Sequence, residues 1–508
     1  MEPLVPLLVA VPLGVAFAVV LLAHVRGLRR LTGLLAVAAV VANLAISLVL
    51  IGGPTINTFV GGWGDGRTLG IQMVCDGLAK LMLVTINLVA AVSIVYAGAY
   101  MRRFTKVWLF ESLFLLMTGA MNGVVLAGDL FNMFVFLEVA AIASYALVGF
   151  GCEAEELEAA FKYLILGTVG SALILLGITI LYSLTGNLNM AMVSQGLAVV
   201  GRTSPAVLLA AAMLLAGLSL KAAMVPFHAW LPDAHPSAPA PISAMLSGVL
   251  IKASGVYALA RVVFSVLGPS PQYATVLMVL GAASMVIGVF LAIGQWDFKR
   301  LLAYHSISQM GYVVLALGAA AAVMSRSDPD RTVAGLCLFG GLFHLFNHAA
   351  FKSLLFLSSG CIEQQAGTRL LKEMGGLSRR MPITSFCCRI GALSIAGVPP
   401  FNGFFSKLII IISLFLAGYP VLAGVAVLVA LMTLLSFIKV QRYALEGEPT
   451  KTAGAVEAPA LMCIALVVLA VVCVAGGLAA IPLRDHLFAP AGDALMNASG
   501  SLTAGVTP

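Results

Sequence analysis

Lys221 and Lys252 each stand inside an apolar run, in the stretch Leu218–Arg261 that reads LSLKAAMVPFHAWLPDAHPSAPAPISAMLSGVLIKASGVYALAR. A lysine in a lipid-spanning segment costs roughly 2.5–3.5 kcal/mol on insertion scales, so it faces the protein interior and has a task there. Glu138 is the natural partner for Lys221: it lies equally deep in its own run, DLFNMFVFLEVAAIASYALVGF. Alone, a buried carboxyl becomes neutral; beside a lysine it stays charged. A proton arriving near such a pair weakens it, and the lysine then passes its own proton on. Lysine suits that task and arginine does not, because burial brings only lysine within reach of deprotonation. The competing reading is a static structural ion pair. Lys252 is a second relay candidate. His344, His348 and Lys352, in GLFHLFNHAAFKSLLFLSSG, are spaced i, i+4, i+8 and share one helix face. Histidine carries protons in both directions near neutrality. Lys407 follows the interruption GVPPFNGFFSK and ends the row. Together Glu138, Lys221, Lys252, His344, His348 and Lys407 describe a proton path across the chain.

The elements that must hold these groups are membrane helices. Of 508 residues, 61% are hydrophobic and 10% charged, against about 25% charged in a soluble domain. The chain reads as an all-α polytopic membrane protein. At about 20 residues per span, fourteen apolar segments are expected, near 4–24, 31–51, 73–98, 107–127, 130–150, 161–184, 206–227, 242–266, 274–295, 301–323, 334–360, 382–417, 420–441 and 458–481. The first is read as a spanning helix rather than a cleaved signal, because Glu2 is the only charge before it. The tail 482–508 is expected to be loosely ordered.

Segments seven and twelve are broken, the first by the prolines after Lys221 and the second at residues 397–407. Paired Gly/Pro breaks point to two repeats of about five helices with working sites at the breaks. The opposite order of lysine and break fits inverted repeats. The expected units are 1–106, 107–270, 271–450 and 451–508. The net charge of +7 reflects basic loops facing the cytoplasm, not nucleic-acid affinity. Arg26, Arg29, Arg30, Arg102, Arg103, Lys106, Lys299, Arg300, Arg369, Lys372, Arg379, Arg380, Arg442 and Lys451 lie in the loops after odd-numbered segments; the alternate loops hold Arg67, Arg202, Arg326, Arg331 and Arg484. This places both termini outside. The acidic CEAEELEAA at 152–160 runs against the pattern.

Lesser charges have local readings. Asp76 and Lys80 neutralise each other at i, i+4; Glu111 and Asp129 are wet at segment ends; Arg261 and Lys439 snorkel. His228, Asp233 and His235 sit in the re-entrant stretch, gating water or capping helix ends. The eight cysteines read as small buried hydrophobes. No Gly-rich nucleotide motif and no haem or iron–sulfur cysteine set is present, so no redox centre or cofactor is expected in this chain.

These motifs in combination (residues 221–261, DLFNMFVFLEV, HLFNHAAFKSLLFLSSG and GVPPFNGFFSK) resemble the antiporter-like proton-translocating membrane subunits. That superfamily includes the large membrane-arm subunits of respiratory complex I, the large Mrp Na+/H+ antiporter subunits, and their relatives in membrane-bound hydrogenases and formate hydrogenlyases. The resemblance spans roughly residues 70–440. It implies fourteen helices with two inverted five-helix repeats. It also implies Glu138–Lys221 as the first ion pair, Lys252 with His344 and His348 as the central axis, and Lys407 as the terminal lysine. It further implies neighbouring membrane subunits, H+ and in some members Na+ as transported ions, lipid contact, a cell inner (plasma) membrane location, and flavin, Fe–S or NiFe centres in partner subunits. Two departures narrow the subfamily. The chain stops soon after segment fourteen, without the lateral helix of the longest complex I member, and Lys407 stands where one complex I member has glutamate. HPSAPAPISAMLSG looks closest to Mrp D-type and membrane-hydrogenase subunits. The alternatives are a stand-alone secondary transporter for a solute and an inert scaffold; costly buried charges argue against the latter.

Overall fold

Burying so many apolar residues around a few charged ones produces two classes of helix. The computed structural model describes residues 1–25, 27–60, 70–448 and 450–497. Arg26 and Arg67, which enter the orientation argument, lie outside these, as do residues 498–508. Among the described residues, twelve helices are long and apolar enough to cross a membrane. Helices α1 (Leu4–Ala23) and α2 (Thr32–Leu50) form a rim of which only a third is buried. A short antiparallel hairpin follows, β1 (Ile56–Val60) and β2 (Ile71–Cys75), with Ile56 opposite Cys75. The expected third span therefore starts as a strand. Its helix, α3 (Gly77–Tyr100), begins where Asp76 caps it by accepting from the Ala79 amide at 3.0 Å.

Helices α4 (Val107–Leu126) and α5 (Leu130–Val148) come next, the latter capped by Asp129. Helix α6 (Ala154–Thr185) starts earlier than expected. The acidic stretch read as a loop is its first turn, closed by a Glu153/Glu156 capping box, which suits the positive end of the helix dipole. A short helix α7 (Met190–Val200) was not anticipated.

Both expected breaks are present. Helix α8 (Pro205–Lys221) ends at the lysine; the chain turns through Ala223 (φ 54°) and a cis Val225–Pro226 bond into the short α9 (Leu231–Ser237). Helix α10 (Ala240–Leu267) is wholly buried in its apolar window. Helices α11 (Pro271–Ile293), α12 (Phe298–Met324) and α13 (Arg331–Ala366) follow. The second break separates α14 (Pro382–Ala396) from α15 (Asn402–Leu416), with Gly397 at φ 82°. Then come α16 (Pro420–Val440), α17 (Ala460–Leu478) and α18 (Ala489–Met496). The long α13 is the hub, packing on α10, α12, α14, α15 and α17. Residues 482–497, expected to be loose, are largely helical instead. Helix α18 packs on α3 and α13, and the Phe488 ring meets that of Phe343 edge to face at 5.0 Å; apolar residues in that tail give it a place to dock.

Candidate functional site

The first break is built around Lys221. Once α8 stops, its last carbonyls need donors. Trp230 Nε1 donates to the Leu220 carbonyl at 3.0 Å, and the Trp230 ring stacks on Tyr163 at 4.1 Å. The Val225 amide donates to Ser284 Oγ on α11 at 2.9 Å. So held, Lys221 Nζ lies 3.3 Å from Glu138 Oε1, and Ser171 on α6 donates to the same oxygen. Lys221 is buried, while Glu138 keeps 29% side-chain exposure. Glu138 shares an open stripe of α5 with Phe131, Val135 and Ile142.

Helix α10 carries the next lysine. Gly255 lies against the break: a Cβ there would fall 2.4 Å from Ala222 Cα. Three residues earlier, Lys252 is fully buried and donates to the Ser247 carbonyl at 2.5 Å. Residues Leu246–Tyr257 form a π-helical run, a geometry found mostly as single turns, frequently at functional sites. Ser247 Oγ is 2.8 Å from Ser306 Oγ of α12.

Helix α10 packs on the histidine stripe of α13, where Ser353 donates to the Ala244 carbonyl at 3.2 Å. His344, His348 and Lys352 are all fully buried. Lys252, Lys352, His344 and His235 lie within Coulombic range of His348. Lys352 Nζ donates to the Leu302 carbonyl. His344 Nδ1 shares a 2.9 Å hydrogen bond with Ser406 of α15, next to Lys407. Lys407 Nζ donates to the Ile395 carbonyl in the last turn of α14 at 2.7 Å and sits 5.2 Å from the Tyr312 ring centre. The Tyr312 ring in turn lies 5.6 Å from that of His344.

The expected residues thus fall into two close groups, Glu138 with Lys221 and His344 with Lys407, joined through Lys252 and His348. Lys221 and Lys252 are not hydrogen-bonded to each other, nor are Lys252 and His348, among the described residues. Both His348 ring nitrogens and His344 Nε2 have no partner there.

Several lesser expectations are corrected. Asp76 does not neutralise Lys80. It pairs with Arg261 at 2.5 Å, and Lys80 donates to the Gly53 and Pro54 carbonyls. Arg261 therefore does not snorkel, and it is 1% exposed. Lys439 caps the end of α11 through the Ile293 and Gln295 carbonyls. Glu111 is half-buried, with its Oε2 covered. Asp233 lies at the surface, with Lys162 at 3.1 Å and Arg300 at 3.5 Å, whereas His235 is fully buried.

Two buried groups escaped the sequence reading. Lys299, counted as a loop charge, is 3% exposed and pairs with Glu363 at 2.7 Å. His305 is fully buried on α12 within Coulombic range of Lys352 and Lys407. Its only signal was a lone histidine in an apolar helix. Among the described residues, no three His, Cys, Asp or Glu side chains form a metal cluster, and the cysteines are free thiols.

Residues 127–433 match the family described as NADH:quinone oxidoreductase/Mrp antiporter, transmembrane. The chain belongs to this family. It is 36% identical to the N-type subunit of NADH-quinone oxidoreductase from Desulforudis audaxviator, over 93% of this chain and 95% of that protein. It is 32% identical to the D-type subunit of the Na(+)/H(+) antiporter from Alkalihalophilus pseudofirmus, over 89% of each. A chain of the Mrp complex from Dietzia sp. superposes over 100% of both chains with a TM-score of 0.89 and 28% identity. The matched region holds every residue of the row, so the family's membrane-subunit fold and the buried charges coincide in this antiporter-like chain.

Proposed function

We propose that this chain is a proton-translocating subunit of a multi-subunit ion-pumping membrane complex of the complex I, membrane-hydrogenase or Mrp kind. The supporting observation is the row of buried titratable groups, from Glu138–Lys221 through Lys252 and His348 to His344–Ser406–Lys407. Such groups are expensive in a membrane, and where they occur they mark ion pathways and proton relays. The proposed architecture is fourteen spans, counting α8 with α9 and α14 with α15 as broken helices seven and twelve. Two inverted repeats occupy 107–270 and 271–450, flanked by 1–106 and 451–508. The proposed location is an inner (plasma) membrane with both termini outside. Redox centres, whether flavin, Fe–S or NiFe, belong to partner subunits, H+ is the translocated ion, and Na+ is the candidate for exchange.

In this reading a proton reaching Glu138 releases Lys221 from its pair. The change of charge is felt by Lys252, then by His348 and His344, and Lys407 delivers the proton at the second break. Glu138 also opens onto an apolar face of α5, where a carboxylate against lipid would be costly. That favours a neighbouring membrane subunit over a stand-alone transporter. The test is Lys221→Ala in the assembled complex. Assembly persists and proton translocation falls at least ~100-fold, the lower side of what a positioned proton-transfer group contributes. Undiminished translocation in the assembled variant refutes the relay.

A further inference from the structure

Helix α10 continues past Lys252 with two more polar side chains on one stripe. In a π-helical run residues five apart stack, and in the α-helical turn beyond it residues four apart do. Lys252, Tyr257 and Arg261 have those spacings. Tyr257 donates its hydroxyl proton to the Val125 carbonyl and receives Arg261 Nε at 3.0 Å. Arg261 Nη2 reaches Asp76 Oδ1 at 2.5 Å. Both side chains are almost completely buried, yet Asp76 Oδ2 and Arg261 Nη1 have no hydrogen-bond partner among the described residues. Charged atoms at that depth need one.

One turn along α3 from Asp76, Lys80 lies within Coulombic range of that carboxylate. Lys80 is itself buried, and its end lines a cavity of about 510 Å³ with Thr55, Gly77, Asp485, His486 and Asp493. Residues 485–497 close one side of this cavity. They are held against the start of α3, where a Cβ on Gly77 would lie 2.2 Å from the Pro490 carbonyl oxygen. A buried lysine lining a cavity that also carries Asp485, His486 and Asp493, with an incompletely satisfied ion pair behind it, is an arrangement suited to water and proton exchange rather than to packing alone.

We propose that Lys252, Tyr257, the Asp76–Arg261 pair and Lys80 form a hydrated proton limb opening through this cavity, separate from the limb that ends at Lys407. Water held by Asp76 Oδ2 and Arg261 Nη1 bridges Tyr257 to Lys80, and Lys80 exchanges protons with the cavity. The inference rests on the proton-relay reading and adds a second mouth to it.

The test uses the assembled complex in sealed vesicles. Thr55→Cys is exposed at the cavity wall, and among the described residues Cys152 is the one exposed native thiol, so Cys152→Ser supplies the background. A cationic methanethiosulfonate that does not cross membranes is added to each face in turn. The expected result is loss of proton flux on labelling from one face only, recovered when the label is reduced off. Complete labelling, verified by mass spectrometry, with undiminished flux overturns the limb and leaves the relay standing. Failure of the relay itself shows instead as full flux in Lys221→Ala. A second variant, Lys80→Arg, keeps a cation and donors for Gly53 and Pro54 but cannot release a proton. It lowers flux with unchanged thermal unfolding; full flux in Lys80→Arg removes Lys80 from the limb.

Discussion

Gly403→Ala tests whether the second break positions Lys407. Gly403 begins α15 directly against the end of α14. A Cβ there would lie 1.8 Å from the Ser394 carbonyl oxygen, where real Cβ contacts do not come under 3.0 Å. The two half-helices must therefore separate by about 1.2 Å, the difference of those distances. Lys407 Nζ donates to Ile395, the next residue of α14, at 2.7 Å. Moving that bond apart by the same amount takes it beyond hydrogen-bonding range. Overpacking costs about 1–3 kcal/mol, and a hydrogen bond from a charged donor contributes about 1.5–3 kcal/mol. Together they predict destabilisation of roughly 3–6 kcal/mol. Gly424→Ala is the control, with nothing within 4 Å of the added methyl; an alanine in its helix is neutral or favourable by up to about 1 kcal/mol. Thermal unfolding followed with a thiol-reactive dye ranks the three proteins, and proton translocation is measured on the same preparations. The expected order places Gly403→Ala well below wild type in both assays and Gly424→Ala level with it. If Gly403→Ala unfolds and translocates like Gly424→Ala, the close approach of α14 and α15 does not hold Lys407, and the reasoning fails.

Two further outcomes rest on single contacts. Asp76→Ala removes the α3 cap, worth about 1 kcal/mol, and leaves Arg261 buried without its partner, about 3–5 kcal/mol. Asp76→Asn keeps the cap oxygen and loses the charge, so unfolding midpoints should run wild type, Asn, Ala in falling order. A wild-type midpoint for Asp76→Asn would mean the pair adds nothing. Lys451, in the segment before α17, lies 2.8 Å from the carboxylate of Glu373 in the loop after α13, and Thr368 donates to the same carboxylate, which holds that carboxyl below its ordinary 4.5. A lowered pKa in the folded state stabilises above the unfolded value and is lost as pH falls through the folded one. Amide protection around residues 368–376 and 450–455, taken against the intrinsic exchange rate at each pH, should therefore fall, and the corrected exchange rise, as pH drops below about 4.5. In Glu373→Gln that acid-dependent rise should be gone, and its persistence would assign the effect to other groups.

What could be read in the sequence followed from the scarcity of charge. Glu138 and Lys221 are 83 residues apart, yet each had to find a partner, and few charges lay at similar depth. Proline runs marked both breaks for the same reason of necessity: no helix continues through them. The failures came where a local rule competed with a distant partner. Asp76 and Lys80 satisfy the i, i+4 pattern, but Arg261, 185 residues away, wins the carboxylate. Lys299 and Arg300 are adjacent in sequence, and only the phase of α12 turns one to Glu363 and the other to the surface. The early start of α6 was legible in principle, since Glu153 and Glu156 have capping-box spacing, but charge counting treated them as loop.

The two breaks solve one problem in different ways, and the difference bears on how the proposed relay would run. Each half-helix end leaves carbonyls without amide partners and carries the negative end of a helix dipole. At the first break Trp230 takes the Leu220 carbonyl, which leaves Lys221 free to face Glu138. At the second, no tryptophan intervenes. Lys407 itself takes the Ile395 carbonyl, while its stem passes Gly397 with Cδ 3.1 Å from where a Cβ would be. The charge on Lys221 is therefore tied to the protonation of a carboxylate. The charge on Lys407 is tied to the backbone position of α14 relative to α15. In the proposed relay the first break would respond to a proton and the second to a movement of half-helices, so a complex that drives this chain mechanically would act at α14–α15, and one that drives it by charge would act at Glu138.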